Sequence, residues 1–285
     1  MAITAKMVSE LRDVTGAAMM NCKKALEATN GDFQAAIDHL RKQGLKAAEK
    51  KSDRATAQGR VFTALSADGR RGHLGGLACE TDFLASSDGF KALVASLEAH
   101  VRAQDPDGVE SGKRPILGQT LGGKSVAEAL QAAIGQFGEN VRLTDLVRLE
   151  SREGFVGSYV HHDNKQGAIA AITTSAPQAK AAEALKSLCQ HIVVFAPAWT
   201  RREDVPAEAV EHEKGVLAES DEVKSKPEAM REKVVMGRMN SFFAERVLSE
   251  QPWVLEPKLT VQKALEKELG GTVRIEAFGR VKLGG

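Results

Sequence analysis

The chain has 285 residues, enough for two or three packed units, and its 39 Lys and Arg nearly balance its 38 Asp and Glu. So even a balance gives no global attraction to nucleic acid or an anionic membrane, and one Tyr with two Trp leaves few platforms for stacking on bases. Cys22, Cys79 and Cys189 are widely separated, odd in number and without metal-ligand spacing, and no apolar run approaches membrane-spanning length, so a soluble cytoplasmic protein without a signal peptide is expected.

The chain opens with helical periodicity. Val8, Leu11 and Val14 recur at helix spacing and Thr15-Gly16 ends the run. A second short helix carries Cys22, Ala25 and Leu26. After the Asn30-Gly31 turn, Asp32 is an N-cap for a third, with Phe33, Ala36, Ile37 and Leu40 on its apolar face and Gly44 as its stop. Three short helices make a core too small for most chemistry and better suited to docking. The basic stretch Lys46, Lys50, Lys51 and Arg54, interrupted by Glu49 and Asp53, reads as a solvated linker rather than an RNA patch.

From Gly59 the period changes. Val61, Thr63 and Leu65 alternate, Asp68-Gly69 supplies a turn, and Leu74 and Leu77 return. The strand leads into Cys79-Glu80-Thr81-Asp82-Phe83-Leu84-Ala85. In this stretch Asp82 is a cap and Phe83 a core filler, or both project from a rigid scaffold. A helix covers 87–103, a loop 104–123, a helix 125–135 and a strand 143–149. The pattern then repeats. A strand starts at Gly154-Phe155-Val156, Asp163-Asn164 turns, and a helix covers 177–195. Gly59 to Gly72 and Gly154 to Gly167 each span 13 positions, which fits a duplicated hairpin-plus-helix unit or simply two of the common hairpins that lead into a helix. Between Pro206 and Arg246 the chain is helical and charged, broken at Ser225-Lys226-Pro227, which implies an antiparallel helical hairpin with a thin apolar stripe. Residues 272–276 alternate as a last strand.

Catalytic patterns are missing. No Gly-rich phosphate loop ends in Gly-Lys-Ser/Thr and no Gly-x-Ser-x-Gly elbow appears. His161-His162-Asp163 falls at a turn, where neighbouring strand residues face opposite ways, so both histidines gripping one ion is not expected. Cys79 reads as a buried structural thiol. No catalytic residue, metal or cofactor is expected.

Several collinear segments carry a resemblance: Leu11 to Met20, Cys22 to Leu26, Thr81-Asp82-Phe83, Gly138-Glu139-Asn140, Gly157-Ser158-Tyr159, Gly237-Arg238-Met239 and Gln251 to Pro257. Together they resemble the bacterial elongation factor Ts family, guanine-nucleotide exchange factors for elongation factor Tu. The resemblance implies an α+β fold. A three-helix ubiquitin-associated-like domain and linker would occupy 1–55. Two related antiparallel sheet-plus-helix subdomains would occupy 56–150 and 151–205 with 237–285, and a coiled-coil hairpin 206–236. It implies that Thr81, Asp82, Phe83 and Leu84 wedge into the GDP-bound partner near its magnesium ion. Phe137, Gly138 and His161 would approach the partner's phosphate loop, and Met19, Met20 and Lys23 would dock the N-terminal domain. Neither nucleic acid nor membrane is implied as a direct partner, and a dimer of heterodimers stays open. A ribosome- or RNA-associated structural protein is the competing class, with steep salt dependence of RNA binding as its mark.

Overall fold

The computed structural model describes residues 2–284, and all their side chains except those of residues 45–49; the Lys46 side chain of the basic stretch therefore lies outside the described residues. Two compact units divide the chain: Met1–Phe62, Gly75–Leu146 and Lys282–Gly285 in one, Thr63–Leu74 and Val147–Val281 in the other.

The elements run in chain order from three helices, α1 (Ala5–Thr15), α2 (Met19–Ala28) and α3 (Phe33–Lys51), to the hairpin strands β1 (Gln58–Leu65) and β2 (Arg71–Cys79). Next come α4 (Asp82–Ser86), α5 (Asp88–Gln104), the short strands β3 (Thr120–Leu121) and β4 (Lys124–Ser125), α6 (Val126–Phe137) and β5 (Val141–Glu150). Thr4 caps α1 by accepting from the Met7 N–H at 3.3 Å, and Gly16 ends it at φ 66°. Asp32 caps α3 through the Ala35 N–H at 2.9 Å. Val8, Leu11, Cys22, Ala25, Leu26 and Ala36 form the small shared core, whereas Val14 is 65 % exposed despite its place in the period. A Ser125–Glu128 capping box starts α6.

Gly44 does not stop α3. The helix runs on to Lys51, through the stretch that composition marks as linker. Packing explains this. A Cβ on Gly135 of α6 would come within 3.0 Å of the Gly44 Cα, so a glycine on each helix lets the two backbones approach. Arg41 pairs with Glu128, and the Lys51 Nζ donates to the Gly138 carbonyl at 2.5 Å.

After β5 come β6 (Gly154–Val160), β7 (Gln166–Thr173) and α7 (Gln178–Phe195). The helical hairpin follows as α8 (Ala207–Glu219), α9 (Asp221–Lys224) and α10 (Glu228–Arg246), then β8 (Pro252–Trp253), β9 (Glu256–Thr260), α11 (Val261–Leu269) and β10 (Arg274–Lys282). The main sheets have strand orders β1-β2-β5 and β10-β7-β6. In each, the second strand of a hairpin lies in the middle and a later strand joins its free side, while a long helix, α5 or α7, follows the hairpin. The matching glycines have a shared physical cause. A Cβ on Gly59 would sit 2.1 Å from the Leu77 carbonyl oxygen, and one on Gly154 1.9 Å from that of Ile172. Both first strands press against their partner's backbone where no side chain fits.

The core of the second unit gathers Ile172, Leu185, Leu188, Ile192, Trp253, Leu265 and Ile275. The base of the helical hairpin has its own cluster, in which Val205, Met239, Phe243 and Val247 meet Trp199, Val210, Leu217 and Val235. Among the described residues no helix is long and apolar enough to cross a membrane.

Candidate functional site

Strand β2 ends at Cys79, and the chain turns at Thr81 into the five-residue helix α4. Thr81, not Asp82, is the cap: its Oγ1 accepts from the Leu84 N–H at 3.2 Å. Asp82 lies exposed in the first turn. Phe83 is 86 % exposed, so it fills no core, while Leu84 and Ala85 are 8 % and 6 % exposed and anchor the helix from beneath. Leu84, grouped by sequence with the wedge, is thus inward-facing. Ser87 closes α4 and opens α5 by accepting from the Phe90 N–H at 3.3 Å.

Glu139 holds this corner from the other side. One carboxylate oxygen accepts from the Thr81 N–H at 2.9 Å, the other from the Thr81 hydroxyl at 2.6 Å. In return Glu80 accepts from the Asn140 N–H at 2.6 Å and pairs with Arg54 at 3.4 Å. The buried Asn140 amide donates to the carbonyls of Ser52 and Arg54 at 3.1 and 2.9 Å. Phe137 is half-buried, its ring 6.4 Å from that of Phe90, and Gly138 ends α6 at φ 79°. The sequence marks Thr81 to Leu84 and Phe137-Gly138 as separate candidates, and the structure joins them through Glu139. Glu80 and Glu139 stand inside segments already singled out, but only tertiary pairing shows what their carboxylates grip.

Cys79 is buried, and burial followed by the nearby Glu139 charge pushes its thiol up to about 11, which leaves it protonated and inert at neutral pH. Met19 and Met20, at the start of α2, are 44 % and 60 % exposed. Lys23, one turn on, reaches Glu27 at 3.8 Å.

In the second unit, His161 lies just beyond β6 in the turn to β7. Its Nδ1 is 3.2 Å from the Tyr159 hydroxyl and its ring meets that of Tyr159 edge-on at 6.0 Å. The expectation that His161 and His162 face opposite ways fails. Their ring centroids are 4.2 Å apart, because the pair has left the strand and follows turn geometry, with Asn164 at φ 59°. Partial burial works against the charged Asp163 carboxylate, but donation from the Lys165 N–H at 2.8 Å and the Gln166 amide at 3.2 Å holds its pKa below the ordinary value. No group of three His, Cys, Asp or Glu side chains that could hold a metal occurs among the described residues.

Comparison with known proteins agrees along the whole length. The family model described as Elongation factor TS matches residues 80–285, and one for a UBA-like domain matches residues 5–41. The chain belongs to the elongation factor Ts family. Elongation factor Ts of Magnetococcus marinus is 38 % identical over 290 residues, covering 100 % of this chain and 93 % of that protein. The Chlorobaculum parvum and Aquifex aeolicus proteins of the same name are 37 % and 36 % identical, each covered to 99 %. The fold seen here, a UBA-like helical start followed by mixed helices and antiparallel sheets, is that of an elongation factor Ts family member.

Proposed function

We propose that this protein is a guanine-nucleotide exchange factor for elongation factor Tu, acting without bond-making chemistry of its own. The exposed Phe83, on a helix capped by Thr81 and rooted by Leu84, is the observation that carries the reading. An aromatic left in water on a rigid corner adds binding energy when a partner covers it. Membership of the elongation factor Ts family supplies the class of partner.

The factor binds the GDP-bound GTPase and inserts Phe83, with Asp82 beside it, near the partner's magnesium site. Coupling is reciprocal, so whatever the factor does to weaken GDP binding, GDP does equally to weaken the factor. A thousandfold weakening corresponds to about 4 kcal/mol of differential contact, within the range of one covered aromatic and one perturbed ion ligand. His161 and the Phe137-Gly138 turn are assigned to the phosphate side of the partner. Met19, Met20 and Lys23 are assigned to docking of the UBA-like domain, where unbranched thioethers suit an irregular surface. The ranges 1–55, 56–150, 151–205 with 237–285 and 206–236 serve as working domains.

The test is release of labelled GDP from elongation factor Tu with wild-type protein and with Phe83→Ala. The expected result is strong acceleration by the wild type and loss of most of it in the variant, at unchanged thermal stability. Wild-type release at the spontaneous rate would overturn the assignment. RNA binding that falls steeply with salt in such an inactive protein would favour the structural RNA-associated class.

A further inference from the structure

We propose that Glu139 and Glu80 form a reciprocal carboxylate clasp whose task is to position Phe83. The proposal rests on the exchange reading above and adds to it the residues that aim the wedge.

A five-residue helix does not hold its shape in water by itself, because nucleation is unfavourable and few hydrogen bonds follow it. The geometry of α4 must therefore be imposed. Beneath, buried Leu84 and Ala85 fix its inner side. At its start the chain is gripped twice by Glu139, at the Thr81 N–H and the Thr81 hydroxyl. That hydroxyl passes the constraint on, since its oxygen also accepts from the Leu84 N–H. Glu139 is in turn fixed by its neighbour: the Asn140 N–H binds Glu80, and the Asn140 side chain binds two carbonyls just past α3. Each segment lends a carboxylate to the other's backbone. The hydrogen bonds that Glu139 accepts from Thr81 are charge-assisted and partly shielded from solvent, so they are stronger than neutral surface ones. Phe83 itself touches none of this network and stays open to a partner. An aromatic held ready loses less freedom on binding than one on a fluctuating turn.

Glu139 is thus a positioning residue that acts through Phe83. The test is a double-substitution cycle in the full-length protein, read by GDP release from elongation factor Tu at varied factor concentration. Amide hydrogen exchange of the free protein is measured alongside. Glu139→Ala is expected to raise the half-saturating concentration about tenfold, the cost of ordering one or two side chains. In a Phe83→Ala background it should add nothing. Amides of Thr81 and Leu84 should lose protection while those of α5 keep theirs. Should Glu139→Ala fail to fold, Thr81→Val removes the gripped hydroxyl and is expected to give the same pattern. Glu139→Gln, which keeps one acceptor, should fall between wild type and Glu139→Ala.

Losses that add in full to those of Phe83→Ala would overturn the proposal, as would wild-type exchange by a folded Glu139→Ala. Failure of the wild type to release GDP would overturn the exchange reading, and the amide protection would then decide alone whether the clasp orders α4.

Discussion

The N-terminal helices and the helical hairpin look alike in sequence, each a short amphipathic segment set off by a charged or Pro-containing break. They are held in different ways. In the first unit α3 runs through its composition break and lies along α6, glycine against glycine, with Arg41 and Lys51 bonded to Glu128 and the Gly138 carbonyl. In the second, α8 and α10 pack mainly on one another, and the strongest burial is at their base around Phe243 and Val247. A polar stretch between two apolar patterns therefore does not mark a free joint. What decides is whether the helix beyond it offers small residues to a neighbour.

Phe243 is 7 % exposed, with the Arg202 guanidinium 4.2 Å above its ring. Phe243→Ala should cost about 3–5 kcal/mol of stability in the second unit, read from denaturant unfolding followed by Trp199 and Trp253 fluorescence. Replacing residues 211–233 by a short Gly-containing turn should shift the same curve far less. Equal shifts would mean that the arm is held along its length.

Gly135→Val comes next. The new side chain would drive into the backbone of α3, and overpacking of this kind costs about 1–3 kcal/mol. Hydrogen exchange in α3 should rise. A Cβ on Gly44 meets nothing nearer than 4.0 Å, so Gly44→Ala should instead stabilise by up to about 1 kcal/mol through helix propensity. Destabilisation by Gly44→Ala, seen by calorimetry, would mean that the backbones lie closer at Gly44 than the 4.0 Å clearance allows.

Arg41→Ala should matter little. Its pair with Glu128 is between side chains 63 % and 39 % exposed, where solvent and salt screen the attraction. A calorimetric loss as large as that of Gly135→Val would give the ion pair, not the glycines, the main part in seating α3.

The second unit also carries a pH signature. Burial holds His191 below its ordinary pKa, against the opposing hydrogen bond to Gln251 at 3.0 Å. The unfolded chain therefore takes up the proton first. The His191 contribution is complete above about pH 6.5 and declines as pH falls from there toward the folded value. Urea midpoints measured from pH 8 to 5 should fall, and His191→Gln should flatten that part of the slope.

Much of the fold was legible because its signals are local. Gly16, Asp32 and Asp68-Gly69 act where their chemistry predicts, as a helix end, a cap and a turn. The spacing of Gly59 and Gly154 left duplication open, and the matching sheets give it a physical cause. Gly44 misled because a helix stop and a helix crossing both call for glycine, and only the presence of α6 separates them. The site divides in the same way. Sequence could point at Thr81-Asp82-Phe83, and Phe83 is indeed left uncovered. That Thr81 caps α4, that Leu84 turns inward, and that Glu139 reaches across 58 positions to Thr81 all depend on tertiary placement. The close approach of the His161 and His162 rings was missed because strand alternation was carried one residue too far, into a turn.

The three cysteines of the chain are all free and all buried, and burial pushes the Cys79 thiol up to about 11. Thiol-specific dyes act on accessible thiolates, so the native protein offers them little to react with. One cysteine introduced at the exposed Ser86, three residues from Phe83, would then be the preferred target for a fluorophore. Association with a partner could be followed by emission at that corner in otherwise unaltered protein, with no need for a cysteine-free background that would hollow out three cores.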